Sequence, residues 1–167
     1  MFEKLYPSEF ADSPYVLDFK RLRGMGFEGI IFDIDNTFVP HGAPADERAI
    51  ALFGRIDAAG LKKCAISNNK EPRVKPFADA VGAFYVADAH KPSADGFLKA
   101  AEMMGTAPRE TFFIGDQLFT DIWGANNAGI YSILVKPVDK HEEIQIVLKR
   151  KLERPILWYF KKFKTRP

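Results

Sequence analysis

The sequence of 167 residues contains a single cysteine, Cys64, so no disulfide can form within the chain. No apolar run approaches the roughly 18 residues that a membrane-spanning helix needs. The opening residues, 1–7, do not combine a basic segment with an apolar one, as a secretory signal does. The three histidines, His41, His90 and His141, show no mutual spacing typical of metal ligands. These absences argue against a secreted or membrane-spanning protein and predict a soluble, cytoplasmic one.

The residues that are present predict one folded domain. Hydrophobic residues make up 47% of the chain and include 15 Phe, which is enough for a packed core. Cys64 lies in an apolar stretch, and we interpret it as a small core residue. Charge is distributed unevenly, because residues 149–167 carry eight Lys and Arg against one acidic residue, Glu153. The rest of the chain is mildly acidic, and such asymmetry bears on partners rather than on fold.

Apolar runs that suit strands alternate along the chain with segments that have helical periodicity. The predicted strands are 27–32, 61–66, 83–86, 111–114 and 131–135, and the predicted helices are 15–23, 46–59, 71–81, 94–104 and 120–128. This alternation is typical of βαβ units, and continuous apolar strands indicate a sheet covered on both faces. We therefore expect an α/β fold with a doubly wound, parallel, Rossmann-like sheet.

Two carboxylates, Asp33 and Asp35, follow directly after the apolar run 29–32. Ligands of open α/β sheets bind at the carboxyl ends of strands. Side chains two residues apart point the same way if the chain stays extended. Like charges this close repel each other, and one would be driven towards protonation unless a cation lies between them. The pair therefore indicates chemistry rather than a structural requirement.

Other predicted strands also end in polar residues, namely Ser67-Asn68, His90-Lys91, and Asp116 with Asp121. Each has an ordinary structural explanation by itself, as a turn, a solvated lysine or a helix cap. Together they suit phosphoryl transfer. A carboxylate can attack phosphorus and form an aspartyl-phosphate, while a hydroxyl, backbone N–H groups and a lysine hold the phosphate oxygens. A second carboxylate can protonate the leaving group and then activate water, and Mg²⁺ prefers such oxygen ligands.

With these motifs the chain resembles the phosphatases of the haloacid dehalogenase (HAD) superfamily over about residues 27–137. The matching motifs are Asp33-Ile34-Asp35-Asn36-Thr37, Ser67, Lys91, and Gly115-Asp116 with Asp121. The resemblance implies that Asp33 is the nucleophile and Asp35 the general acid and base. It also implies that phosphate is bound by Ser67, Asn68 and Lys91. Mg²⁺ would be held by Asp33, Asp116 and the backbone carbonyl of Asp35. The supporting residues would be Asn36, Thr37 and Asp121, of which Asp121 would orient Lys91 or the metal waters.

The motifs are most similar to those of the YqeG-type, subclass IIIA phosphatases, and so is the opening stretch 5–10. This group is related to the mitochondrial phosphatidylglycerophosphatases, so the resemblance implies a phospholipid phosphomonoester as substrate. Phe38 stands where leucine is more usual, which exchanges one apolar residue for another. A soluble sugar or nucleotide phosphate is the alternative substrate.

The spacing of the motifs leaves no room for a separate cap domain. Between Asp35 and Ser67 lie 31 residues, and between Ser67 and Lys91 lie 23, and one helix and one strand account for each interval. We therefore expect an open site, unless a second subunit of a homo-oligomer or another partner covers it. An open site admits a phosphate on a large or surface-bound substrate.

The predicted division of the chain is a phosphatase domain over 1–150 and a basic amphipathic tail over 151–167. On a helix, Ile156, Tyr159, Phe160 and Phe163 share one face, which Leu157 and Trp158 widen and Lys161, Lys162 and Lys164 flank. Such a helix can lie in a membrane interface, or it can pack on the body of the protein with its lysines solvated. A basic patch can also bind nucleic acid, but no recognised motif supports that.

Two other classes of protein share part of this pattern. Phosphate-accepting receiver domains share the parallel sheet and the acidic cluster, but their acceptor follows a central strand after an earlier acidic pair. Here the first predicted strand of the domain carries Asp-x-Asp. A non-catalytic module with the same fold is the other alternative, and the complete set of four motifs argues against it.

Overall fold

The computed structural model describes residues 2–139, 142 and 144–163. His141, Lys164 and the rest of the tail beyond residue 163 lie outside the described residues. Six strands form one parallel sheet in the order β1-β6-β5-β2-β3-β4. The strands are β1 (Glu9–Ala11), β2 (Gly29–Phe32), β3 (Lys62–Ile66), β4 (Phe84–Val86), β5 (Thr111–Gly115) and β6 (Tyr131–Val135). The helices are α1 (Phe19–Gly24), α2 (Glu47–Ala58), α3 (Glu71–Val81), α4 (Ala94–Met104), α5 (Trp123–Asn127) and α6 (Ile144–Phe163).

The apolar strands explain why helices cover both faces of this sheet. Every residue of β2 is buried. Ile30 and Phe32 belong to the core on one face, and Ile31 belongs with Cys64 to the core on the other. This alternation is the period of two that an extended chain imposes. The predicted α/β fold with a doubly wound parallel sheet is confirmed, and Cys64 is a buried core residue, as expected.

Side-chain hydrogen bonds cap the first turns of the predicted helices α2 and α4. The carboxylate of Asp46 accepts a hydrogen bond from Ala49 N at 2.7 Å at the start of α2, and Ser93 Oγ caps α4. At the other end of α4, Gly105 has a φ of 68°. Only glycine adopts this conformation at no steric cost. Such caps satisfy backbone groups that a helix leaves without partners.

Three elements differ from the sequence prediction. The predicted helix 15–23 is divided into a 3₁₀ turn, Pro14–Val16, and α1. The predicted helix 120–128 begins with a turn of π-helix, Leu118–Ile122, before α5. The edge strand β1 was not predicted, because three residues are too few to show an alternating pattern. Backbone pairing with β6, such as Glu9 with Ile133, makes it a strand.

The intervals between the motifs hold α2 with β3, and α3 with β4, so no separate cap domain is inserted. The C-terminal helix α6 is longer than the predicted tail, and the proposed boundary at residue 150 falls within it. Phe160 of α6 is fully buried against Leu5, Leu118, Ile122 and Leu134. Within the described ranges, no helix combines the length and apolar character that crossing a bilayer requires.

Candidate active site

The predicted site residues follow the carboxyl ends of four neighbouring strands. Asp33 follows β2, Ser67 follows β3, Lys91 lies beyond β4, and Asp116 follows β5. Strand β2 lies between β5 and β3 in the sheet. The strands that follow β2 in the sequence, β3 and β4, lie on one side of it, and the later strands β5 and β6 lie on the other. In open α/β sheets this switch of direction opens a crevice at the carboxyl edge. The topology thus brings together residues from distant parts of the sequence.

Lys91 joins two carboxylates at the bottom of this crevice. Its Nζ lies 2.8 Å from Asp33 Oδ1 and 2.6 Å from Asp121 Oδ1, and all three side chains are buried. Burial alone would lower the pKa of Lys91, but the charges of Asp121 and Asp33 outweigh it and raise the pKa. Burial raises the pKa of Asp33 well above its ordinary value, and Lys91 opposes that shift. Lys91 is therefore a fixed positive charge beside Asp33.

Thr37 lies between the other oxygens of this cluster. Its Oγ1 lies 3.3 Å from Asp33 Oδ2 and 3.1 Å from Asp116 Oδ1. One carboxylate oxygen from each of Asp33, Asp116 and Asp121 lies within 4.8 Å of the others. Burial, together with the charge of Asp121, raises the pKa of Asp116 to about 6. Oxygen donors at this spacing suit Mg²⁺, and a divalent cation would offset the repulsion among the carboxylates. The residues therefore fit a site for a divalent cation.

The Gly-Asp motif after β5 depends on a close approach between its backbone and Asp121. Asp121 Oδ2 accepts hydrogen bonds from the backbone N–H groups of Asp116 and Gln117, both at 3.1 Å. A Cβ at Gly115 would lie 2.6 Å from the same oxygen. Glycine is required here because a side chain would displace the carboxylate that holds Lys91.

The carboxylate of Asp35 faces a different set of partners from that of Asp33. Its Oδ1 accepts hydrogen bonds from Gly42 N at 2.8 Å and from Arg73 Nη2 at 2.7 Å, and its Oδ2 accepts one from Asn69 Nδ2 at 2.8 Å. Burial would raise the pKa of Asp35, but the bonds from Arg73 and Gly42 outweigh it and lower the pKa. Asp33 is bonded instead to Lys91 and Thr37, so the two carboxylates have different hydrogen-bond partners.

Ser67 and Asn68 occupy different positions at the end of β3. Ser67 is buried and its Oγ accepts a hydrogen bond from Asn69 N at 3.1 Å. The Asn68 amide pairs with the backbone of Lys91, accepting from its N–H at 2.7 Å and donating to its carbonyl at 3.2 Å. Asn68 thus holds in place the loop that carries Lys91.

The cavity beside these residues has a volume of about 190 Å³. Asp35, Ser67, Asn68 and Lys91 line it from the sheet, and Ile146 and Lys149 line it from α6. A larger depression of about 540 Å³ lies at the opposite edge of the sheet and contains none of the predicted site residues. The expectation of a site without any lid of its own therefore needs correction, because α6 forms one wall of the cavity.

Several residues of the site were missed by the sequence analysis. Two of them, Glu142 and Asp139, bond to the predicted supporting residue Asn36, whose side chain donates to Glu142 Oε1 at 2.9 Å and accepts from Asp139 N at 3.1 Å. Arg150 of α6 contacts the carboxylate and the carbonyl oxygen of Asp116. Arg73 belongs to α3 and was interpreted only as part of a helix. The signal was weak, because charged residues on helices are usually solvated.

The fold and the carboxylate cluster define the class of protein. The model of the HAD-hydrolase-like family matches residues 89–145. The cobalt-bound deoxy-D-mannose-octulosonate 8-phosphate phosphatase of Haemophilus influenzae has a similar fold, with a TM-score of 0.54 and 12% identity over 66% of this chain and 68% of that one. These matches and the similarity given next identify the protein as a HAD-superfamily phosphatase, a hydrolase of phosphoric monoesters.

Within that class, the sequence similarity shows the family. The chain is 35% identical over 159 residues to the probable phosphatase YqeG of Bacillus subtilis, covering 94% of this chain and 92% of that protein. The chain belongs to this YqeG family of phosphatases. It is also 28% identical over 152 residues to the phosphatidylglycerophosphate phosphatase 1 of Arabidopsis thaliana, covering 84% of this chain but only 44% of that protein.

Proposed function

We propose that the protein hydrolyses phosphomonoesters through a phospho-aspartate at Asp33. The observation that carries the proposal is the environment of this carboxylate at the end of β2. Its Oδ1 is held by Lys91, its Oδ2 lies beside Thr37, and one of its oxygens lies within 4.8 Å of an oxygen of Asp116 and of Asp121. Asp33 would attack phosphorus through a carboxylate oxygen while Lys91 and Ser67 hold the phosphate oxygens, where negative charge increases in the transition state.

In the same proposal Asp35 transfers the protons. As the bond between phosphorus and the ester oxygen breaks, the protonated Asp35 carboxyl group gives its proton to the leaving oxygen. The resulting carboxylate then takes a proton from the water that hydrolyses the phospho-Asp33 bond. Asp35 lines the cavity and accepts hydrogen bonds from Arg73 and Asn69, and the bond from Arg73 lowers its pKa. The leaving oxygen would take the place of one of these partners.

Mg²⁺ is the proposed metal. Asp33, Asp116 and the backbone carbonyl of Asp35 would hold it, and Asp121 would orient Lys91, which it contacts at 2.6 Å. When bound, the ion supplies positive charge to the phosphate oxygens. Asn36 would fix the turn after β2 through its bonds to Glu142 and Asp139. Chelation by EDTA is expected to abolish turnover, and added Mg²⁺ to restore it. Turnover that persists in EDTA would contradict this assignment.

The proposed substrate is phosphatidylglycerophosphate or a similar large phosphate ester. Two observations support it: the similarity to the Arabidopsis phosphatidylglycerophosphate phosphatase, and the intervals between the motifs, which hold no cap domain and leave a crevice with α6 as one wall. The chain spans about half the length of that relative. A phosphate on a lipid headgroup can enter such a crevice while the acyl chains remain outside it.

A phosphate-release assay tests the substrate. Phosphatidylglycerophosphate in mixed micelles would be compared with sugar, nucleotide and polynucleotide phosphates at equal concentration, and Asp33→Asn would serve as the inactive control. We expect kcat/KM to be greatest for the lipid. A strong preference for a soluble ester would overturn the lipid assignment but not the phosphatase chemistry. Phosphate uptake without repeated release would instead indicate a phosphate-accepting module.

The outer face of α6 supports contact with a membrane. Apolar side chains at intervals of four or seven residues share one side of this helix: Ile144, Leu148, Leu152, Tyr159 and Phe163, from 47% to 77% exposed. Lys162 lies 4.7 Å from the ring of the exposed Trp158. Apolar and aromatic side chains flanked by lysines suit the surface of an anionic bilayer. We propose that a cytoplasmic enzyme contacts its lipid substrate along this face.

Vesicle co-sedimentation tests the membrane contact. The protein is expected to bind phosphatidylglycerol-containing vesicles more tightly than neutral phosphatidylcholine vesicles. Leu148→Ser combined with Leu152→Ser should weaken binding without lowering activity on a soluble ester. A matched pair of changes at the exposed Leu98 and Met103 of α4 should leave binding unchanged. If the α6 variant binds equally well, or if the stripe proves to join two copies of the chain, the membrane assignment fails.

A further inference from the structure

Arg150 joins the C-terminal helix to the carboxylate cluster. One of its terminal nitrogens, Nη2, contacts Asp116 Oδ2, and the other, Nη1, contacts the backbone carbonyl oxygen of Asp116. The side chain is 18% exposed, whereas the side chain of Asp116 is completely buried. A planar guanidinium that engages two oxygens of one residue restricts both its backbone and its side chain.

The carboxylates of Asp33 and Asp116 are held in the same manner. In each, one oxygen is bound by a basic side chain, Lys91 for Asp33 and Arg150 for Asp116. The other oxygen of each lies within 3.3 Å of Thr37 Oγ1. The two oxygens beside Thr37 are therefore not the ones that Lys91 and Arg150 bind, and a shared cation would bind to them.

We propose that Arg150 is a positioning residue that orients Asp116 as a metal ligand. The inference rests on the proposed function, because it assumes that Asp116 holds Mg²⁺. It adds a role for α6, which the motifs of the phosphatase do not include. Through Arg150, the seating of the C-terminal helix would determine whether the metal site is complete.

Arg150 could either orient Asp116 for a cation or compete with the cation for Asp116. The groups around Arg150 distinguish these two roles. A bare guanidinium would repel Mg²⁺, but Glu142 accepts from Arg150 at 2.7 Å and Glu153 at 3.4 Å. Two carboxylates thus offset one positive charge. Glu153 also accepts a hydrogen bond from Leu118 N at 2.8 Å, which fixes α6 to the loop after β5. The arrangement therefore favours support of the ligand over displacement of the metal.

Titration calorimetry with Mg²⁺ on the full chain tests the inference, because the two roles predict opposite signs. If Arg150 orients Asp116, Arg150→Gln weakens Mg²⁺ binding, and we expect a change of about tenfold, the lower end for loss of a group that orients a metal ligand. If Arg150 competes with the metal, the same change tightens binding. The matched control is Arg154→Gln, which alters an exposed arginine on the same helix and should leave the affinity unchanged.

Arg150→Lys provides a second variant. Lysine keeps the positive charge but cannot contact both oxygens of Asp116 in a planar fork. We expect Arg150→Lys to bind Mg²⁺ more weakly than the wild type and more tightly than Arg150→Gln. At limiting Mg²⁺, kcat/KM should decrease in the same order. Circular dichroism and thermal unfolding would identify a variant that fails to fold, in which case Arg150→Lys carries the test alone.

Unchanged or tighter Mg²⁺ binding in a folded Arg150 variant would overturn the inference and leave the proposed function intact. Absence of Mg²⁺ binding in the wild type would overturn the proposed metal role, and the inference with it. The two failures are therefore distinguished by the wild-type titration.

Discussion

Asp33 and Asp35 are one residue apart, but their carboxylates have opposite electrostatic surroundings. Asp33 is buried near two other carboxylates, and burial raises its pKa. Burial would raise the pKa of Asp35, but the hydrogen bonds from Arg73 and Gly42 outweigh it and lower the pKa. These shifts are opposite to the charge states that the proposed roles require, so bound Mg²⁺ would have to lower the pKa of Asp33, and displacement of Arg73 would have to raise that of Asp35. At the scale of single residues, the proposed chemistry is divided between these two carboxylates, with Asp33 as nucleophile and Asp35 as general acid and base.

Asp33→Asn tests the nucleophile. The variant is nearly the same size, and we expect the fold to persist while kcat falls by about 10³-fold or more, as on loss of a nucleophile. Phosphate release and thermal unfolding would be measured together. Asp79→Asn, at an exposed carboxylate on α3, is the control and should retain full activity. Substantial turnover by a pure Asp33→Asn preparation would exclude the proposed intermediate.

Arg73→Gln tests the assignment of Asp35. Removing the guanidinium takes away a contact of 2.7 Å that stabilises the anion, so the pKa of Asp35 should rise. If protonated Asp35 is the general acid, kcat/KM falls as pH rises through that pKa. The descending limb of the profile should therefore move to higher pH in the variant. A limb that stays in place would show that another group protonates the leaving oxygen.

At the scale of elements, α6 connects the end of the chain to the site. Its inner side carries Arg150, Glu153 and Phe160, and its outer side carries the exposed apolar stripe. Phe160 is fully buried, and its ring centroid lies 4.9 Å from that of Tyr6. Packing at one end of the helix thus holds Arg150 at the other, three turns away.

Phe160→Ala should loosen the seating of this helix. Removing a fully buried phenylalanine typically costs about 3–5 kcal/mol in the free energy of unfolding. Urea denaturation would measure the loss, and Phe163→Ala, at a side chain that is 57% exposed, should lose far less. Equal losses in the two variants would show that the docking of Phe160 contributes nothing specific.

At the scale of the whole molecule, the site links segments from both halves of the chain. Asp33, Lys91, Asp121 and Arg150 come from four different parts of the fold and meet at one edge of the sheet. A ligand that binds all of these segments only in the folded state stabilises the entire domain. Metal binding should therefore raise the stability of the whole domain against unfolding.

Mg²⁺ is expected to raise the melting temperature of the wild type, since binding to the folded state alone adds a term that grows with ion concentration. The increase should disappear with EDTA and in Asp116→Asn, which weakens the proposed site. Ca²⁺, a larger ion, provides a comparison of selectivity. An equal increase in the wild type and in Asp116→Asn would indicate binding of the ion elsewhere.

The sequence by itself determined the alternation of strands and helices and the placement of Asp33, Ser67, Lys91 and Asp116 at strand ends. These properties depend on local periodicity and on motif spacing, which are visible within short windows. It also determined that no cap domain is inserted, because chain length between the motifs sets that limit.

Only the tertiary structure decided which side chains meet. The turn after β2 directs Asp35 towards Arg73, 38 residues later, and the packing of α6 brings Arg150 to Asp116, 34 residues away. Such contacts depend on the direction of a turn and on the seating of a helix, and no local pattern encodes either. For the same reason, the helix that contains most of the predicted tail begins earlier, at Ile144, and lines the cavity with Ile146 and Lys149.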